Sequence, residues 1–148
     1  MIVEKTIGNL KDYPAEGRPV DYVGLEWYEL DKKLLRKTLE NGEDIGIRLQ
    51  NHLHEGDILY ADEKRIIAVK ILPCELTVVK VASMQAMGRL CFELGNRHLS
   101  LAIEEDRVRV PYDEPTFLYL EKLGFAPEKM LGEFRHFTVC HGHGHSHD

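Results

Sequence analysis

The chain has 148 residues, 43% of them hydrophobic and 30% charged, enough apolar material for one ordinary domain or two small ones with a real core. Its 19 basic and 25 acidic side chains leave a formal charge of −6, so without a compensating basic stripe the overall field repels phosphate backbones, and nucleic acid is not an expected partner. Glu4 and Lys5 fall inside what would be the apolar run of a signal peptide, and no stretch approaches the ~18 apolar residues of a membrane span, so a cytoplasmic protein with no membrane partner is expected.

Residues 1–72 read as β-structure built from short strands, with turn signals at close intervals. Residues 1–7 form a first strand that Gly8-Asn9 turns, and a loop rich in Pro and Gly follows, from Tyr13 through Pro14 and Gly17 to Pro19. Leu25, Trp27 and Leu30 give residues 20–30 a partly alternating pattern. Ile45, Ile47 and Leu49 alternate with Gly46 and Arg48, and Asn41-Gly42 can take the positive φ angles of a type I′ turn, so residues 35–49 read as a hairpin; a turn of helix over 31–36 is the alternative. His52 and His54 sit in the loop before Gly56-Asp57 and the strand Ile58-Leu59-Tyr60. A pair with this spacing can bind metal weakly, but most such pairs are simply solvated. Residues 65–72 read as a strand buried on both faces, which Pro73 breaks. A domain boundary is placed at Leu72-Pro73-Cys74.

Beyond it the pattern changes. Residues 76–81 are rich in β-branched side chains, and Ser83 is an N-cap for a helix to about residue 94 whose apolar stripe is Met84, Met87, Cys91 and Leu94, with Leu90 beside them. Residues 99–104 are a strand, Glu105-Asp106 a tight turn and residues 107–110 the return strand. Pro115 opens a second helix that carries Phe117, Leu120 and Leu123 and stops at Gly124, and residues 133–139 make a last strand. The order β-α-β-β-α-β is that of a ferredoxin-like unit, with two helices on one face of an antiparallel sheet. The expected architecture is α+β: a β-rich N-terminal domain over 1–72, a ferredoxin-like domain over 73–140, and a flexible His-rich tail over 141–148.

Three cysteines, Cys74, Cys91 and Cys140, are an odd number without C-x-x-C spacing, which argues against a disulfide framework and a zinc ribbon. Histidines are the more telling residues. His141, His143, His145 and His147 fall at every second position between Gly142, Gly144 and Ser146, so the backbone can fold two or three rings onto one cation. Neutral imidazole suits first-row divalent metals, Cys140 adjoins the run as a soft donor, and His136 lies in the expected last strand. With unperturbed pKa values near ~6.5, tail imidazoles are mostly protonated by about pH 5.5, so metal capture weakens over that interval. His98 ends the first helix in Gly95-Asn96-Arg97-His98; periodicity alone makes it a cap near the negative end of the helix dipole.

Met84-Gln85-x-Met87-Gly88 followed by Phe92-Glu93-Leu94-Gly95-Asn96-Arg97-His98 resembles the central helix of the urease accessory protein UreE family, nickel metallochaperones of urease. The resemblance extends over the domain order and the alternating-His terminus. It implies that His98 lies at the interface of a homodimer, where two copies share one Ni2+ across a two-fold axis, with tail histidines completing the shell. The eight residue steps from Val139 to His147 span at most roughly 26–29 Å when extended. Zn2+ and Cu2+ suit the same nitrogens, and intrinsic affinity favours Cu2+, so nickel follows from the family and cellular supply. The resemblance also implies the urease apoprotein complex and its accessory GTPase as partners. Some members carry a His-x-His pair on the second hairpin strand of this domain, where the present chain has Arg107-Val108-Arg109-Val110. The alternative reading is a His-tail metal buffer for nickel, zinc or copper without specific delivery. An enzyme is not expected, since no Ser-His-Asp arrangement, metal-hydrolase motif or phosphate-cradling glycine loop is present.

Overall fold

The structure, a computed structural model, describes residues 1–138, and the chain divides at Pro73 into two units, Met1–Leu72 and Pro73–Asp148. It is a strand-rich α+β protein, and both α-helices among the described residues belong to the second unit. No helix of the described residues is long and apolar enough to cross a membrane.

The first unit consists of β1 (Ile2–Val3), β2 (Gly8–Asn9), β3 (Val20–Leu25), a 3-10 turn at Trp27–Glu29, β4 (Leu34–Thr38), β5 (Asp44–Arg48), β6 (Asp57–Ala61) and β7 (Ile66–Ile71). One sheet runs β1-β5-β4 and the other β2-β6-β7-β3. Strand β7 is buried on both faces at Ile66, Ile67, Ala68 and Val69, because it lies between β6 and β3 in the larger sheet and is Val/Ile-rich throughout. In β5 the alternation places Ile45 and Ile47 inside.

Several local expectations change. The 1–7 strand shrinks to Ile2–Val3, and Gly8-Asn9 is not a turn but a short strand: it pairs with Ile58 and Asp57, and the chain reverses just after it, where Asp12 and Tyr13 N–H groups both donate to the Asn9 carbonyl. The 20–30 strand stops at Leu25, and the 31–36 helix is absent because Leu34–Thr38 is strand. The hairpin of β4 and β5 stands, but its turn is not type I′. Gly42 has φ +90° while Asn41 is not in the positive-φ region, Gly42 N–H donates to the Leu39 carbonyl and Leu39 N–H to that of Glu43, so three residues cross instead of two.

The second unit runs β8 (Cys74–Lys80), α1 (Met84–Asn96), β9 (Ala102–Ile103), β10 (Arg107–Pro111), α2 (Glu114–Lys122) and β11 (Glu128–Gly132), with sheet order β11-β8-β10-β9 and every neighbouring pair antiparallel. Both helices start as the side chains dictate: Ser83 Oγ accepts from Ala86 N–H at 3.1 Å, and Asp113 Oδ2 from Thr116 N–H at 3.1 Å with Pro115 in the first turn. Leu90 and Leu94 of α1 and Leu120 of α2 are fully buried with Val79, Val108 and Val110 of the sheet, each leucine worth about 1.5–3 kcal/mol of burial. Met87, Cys91, Leu99 and Phe125 pack around this core. Met84 is not part of the buried stripe: it stands 89% exposed.

The last strand lies earlier than expected. Residues 133–137 are not strand; Glu128–Gly132 takes that place, pairing with Val78 to Cys74. Phe134 and Phe137, whose spacing suggests a strand, instead stack on each other at 4.6 Å, with Phe134 fully buried. His136 is therefore outside any strand, exposed, with φ +54°. The 99–104 strand is likewise shortened to Ala102–Ile103.

Candidate metal centre

Helix α1 ends in a way that makes His98 special. His98 N–H donates to the Gly95 carbonyl at 2.9 Å, and Leu99 N–H reaches back to that of Leu94 at 3.4 Å. This pair of bonds is a Schellman cap, in which the residue after the helix cap must take the left-handed conformation and glycine is the usual occupant. Here that residue is His98, at φ +58°. A Cβ in that region costs about 1–2 kcal/mol for a general L-residue, and histidine is among the types that tolerate it better. Leu99, the following residue, packs into the core beside Leu94, which supplies the apolar contact such caps carry. His98 is exposed, so its ring is carried on a tightly fixed backbone at the protein surface.

The neighbouring side chains hold this helix end against α2. Arg97 Nε donates to Thr116 Oγ1 at 3.1 Å, and its guanidinium lies 5.0 Å from the centre of the Tyr119 ring. Thr116 Oγ1 in turn donates to Asp113 Oδ2, and Tyr119 Oη donates to Glu93 Oε1 at 2.7 Å. The Glu93 carboxylate accepting that bond pushes the Tyr119 phenol above its usual pKa. Cys91, one turn before, packs against the core with Sγ 3.8 Å from Met87 Sδ, and burial pushes its thiol up.

A second contact brings the end of the described chain to the same region. Leu101 and Thr138 form an antiparallel bridge, with Leu101 N–H donating at 2.9 Å and Thr138 N–H returning at 2.6 Å. Leu101 is three residues from His98, and Thr138 three residues before His141, spans of about 10–11 Å each at full extension. Cys140, His141, His143, His145 and His147 lie outside the described residues. Among the described residues, no group of three or more His, Cys, Asp or Glu side chains could hold a metal ion.

One face of α1 is left largely uncovered by the described residues. Met84, Gly88, Phe92 and Gly95 fall within an arc of about 80° at 100° per residue. Met84 and Phe92 are 89% and 64% exposed, and a Cβ added at Gly88 or Gly95 would meet nothing within 4 Å. Glycine inside a helix costs about 1 kcal/mol relative to alanine, and among the described residues no neighbour requires it here. Sequence reading missed this face by assigning Met84 to the buried stripe; the Met-x3-Gly-x3-Phe spacing was the available signal.

Comparison with known proteins adds the family. Residues 3–72 match the model of the UreE urease accessory protein, N-terminal domain, and residues 74–148 that of its C-terminal domain. The chain is 42% identical over 149 residues to the urease accessory protein UreE of Acetivibrio thermocellus, covering 99% of this chain and 97% of that one. It is 38% identical to that of Flavobacterium johnsoniae, covering 99% and 92%, and 43% identical to that of Helicobacter pylori strain Shi470, covering 84% and 76%.

Proposed function

For a chain that belongs to the UreE family of urease accessory proteins, we propose a homodimeric nickel metallochaperone, a carrier without catalysis of its own that delivers Ni2+ during urease metallocentre assembly. His98 is the anchor, contributed once by each protomer, and the tail histidines are accessory donors. The observation that carries this reading is the pairing of two features: an imidazole kept where a glycine would fit the backbone better, and a bridge that roots the histidine-rich segment three residues away.

Two imidazoles from two copies leave most of the coordination sphere open, so other ligands can take the ion and the site can release it, unlike a closed four-ligand structural site. The α1 face of Met84, Gly88, Phe92 and Gly95 supports the dimer, because small residues between exposed apolar ones allow a second helix to approach closely. The sheet order of the second unit supports a ferredoxin-like fold, with the tail beyond it over 141–148. We assign partner or peptide binding to residues 1–72 and metal binding and dimerisation to 73–140, in a cytoplasmic protein that meets the urease apoprotein complex and its accessory GTPase. Zn2+ and Cu2+ would compete for the same nitrogens. The second reading, a metal buffer, rests on the tail alone.

Nickel titration and nickel-dependent urease activation test this with the wild type, His98→Ala and a chain stopped after Cys140. The expected result is one tight Ni2+ per dimer that disappears in His98→Ala, and activation lost in that variant but only partly reduced by truncation. A tight site that survives His98→Ala, or equal activation by all three, would overturn the proposal in favour of the buffer.

A further inference from the structure

The first unit holds a pair of histidines that the carrier reading does not use. Leu53 is 1% exposed and its N–H donates to the Leu30 carbonyl at 2.9 Å, so the loop between β5 and β6 is pinned at its middle. The residues on either side of that plug, His52 and His54, come to lie together: their ring centroids are 5.0 Å apart at an interplanar angle of 64°. A different carboxylate lies near each ring, within hydrogen-bond distance at His52 only. Asp31 Oδ1 is 2.5 Å from His52 Nδ1, and Asp57 Oδ2 is 3.6 Å from His54 Nδ1. Asp57 is itself fixed, accepting from His54 N–H at 2.7 Å and from Asn9 Nδ2 at 3.0 Å.

At hydrogen-bond distance from His52 Nδ1, the Asp31 carboxylate selects the tautomer with its proton on that nitrogen and the lone pair on Nε2, which is the state of a metal-ligating histidine and its supporting acid, whereas Asp57 fixes His54 through its backbone N–H. The spacing fits as well. With metal–nitrogen bonds of about 2.0–2.1 Å, ring centroids sit roughly 3.2 Å from the ion, and two rings at 90–109° around it stand about 4.5–5.2 Å apart. His54 is 65% and His52 33% exposed at the side chain, so an ion can reach them from solvent.

From this geometry we propose that His52 and His54 form a second, open divalent-cation site, with Asp31 as the carboxylate that positions the His52 ring, Asp57 holding the backbone of His54, and water filling the remaining coordination positions. Its ligand class is a borderline first-row cation, with Cu2+ bound more tightly than Ni2+ or Zn2+. The site lies wholly within the first unit and is independent of the His98 reading.

The test uses Cu2+ as a paramagnetic probe on the full-length chain carrying His98→Gly and His→Asn at positions 141, 143, 145 and 147, with the histidine rings isotopically labelled. At substoichiometric Cu2+ the ring signals of His52 and His54 should broaden together while those of His136 stay sharp, and excess Zn2+ should restore them. Asp31→Asn should weaken the apparent affinity about tenfold, the lower end of what loss of a supporting carboxylate causes. Broadening of His54 without His52, broadening of both in step with His136, or an unchanged affinity in Asp31→Asn would overturn the proposal. The first two outcomes are read on an unaltered loop, so they do not depend on how Asp31→Asn folds.

Discussion

Replacing His98 by glycine should make the metal-free protein more stable while abolishing the proposed tight nickel site. His98 sits at φ +58° in a cap that glycine occupies without steric cost. Relief of the Cβ clash is worth about 1–2 kcal/mol, and the greater freedom of glycine in the unfolded chain returns about 0.5–1 kcal/mol of it. The net expectation is a gain of roughly 0.5–1 kcal/mol, or ~1–4 °C in Tm for a chain of this size. His98→Ala keeps a Cβ in the left-handed region and should show no such gain. The measurement is denaturant unfolding of wild type, His98→Gly and His98→Ala with a chelator present, since bound metal would stabilise the native state by mass action, paired with nickel titration of the same samples. If His98→Gly were less stable than wild type, the left-handed cap would not be strained. If it still bound nickel tightly, the imidazole would not be what the strain is kept for.

Gly88→Leu should leave the fold of the chain intact, since a Cβ there meets no neighbour among the described residues, but weaken the proposed dimer in sedimentation; an unchanged association state would remove α1 from the proposed interface. In the first unit, Arg65 donates to both oxygens of Glu43, at 2.7 and 2.9 Å, and holds that carboxyl below its usual pKa. A depressed carboxylate contributes stability that is complete above its unfolded pKa and is lost as pH falls through the folded value. Glu43→Gln should therefore lower stability at neutral pH and flatten its decline in acid, read from denaturation midpoints across that range; parallel wild-type and mutant profiles would refute the linkage.

The parts of the fold legible in the sequence are those where one side chain or one period decides. Ser83 and Asp113-Glu114-Pro115 mark helix starts because their side chains satisfy the first N–H groups locally, and Ile45 and Ile47 mark β5 because one face is buried. Strand β11 was not legible: Glu128, Lys129, Met130 and Leu131 are all exposed on an edge, so no alternation marks them, whereas Phe134 and Phe137 imitate a strand by stacking outside one. Asn41-Gly42 signals a hairpin but not its loop length, because a single positive φ at Gly42 suits a longer connection too. For the candidate centre, the identity of His98 was readable from its motif, but its left-handed backbone was not, since any residue after a helix can take that place. The His52–His54 pairing was hidden for a different reason. It depends on Asp31, twenty-one positions away in sequence, and only the folded loop brings that carboxylate to the ring.

The bridge between Leu101 and Thr138 turns the chemistry of the last ten residues into a problem of local concentration. A donor tied within a few residues of its target meets it at an effective concentration on the order of millimolar, whatever the concentration of protein. For the proposed carrier, an ion leaving His98 would be recaptured more often than lost, and handing it on would require a receiving protein to outcompete a tether and not a solution. Lengthening the segment between Thr138 and His141 would then loosen retention without altering a single ligand.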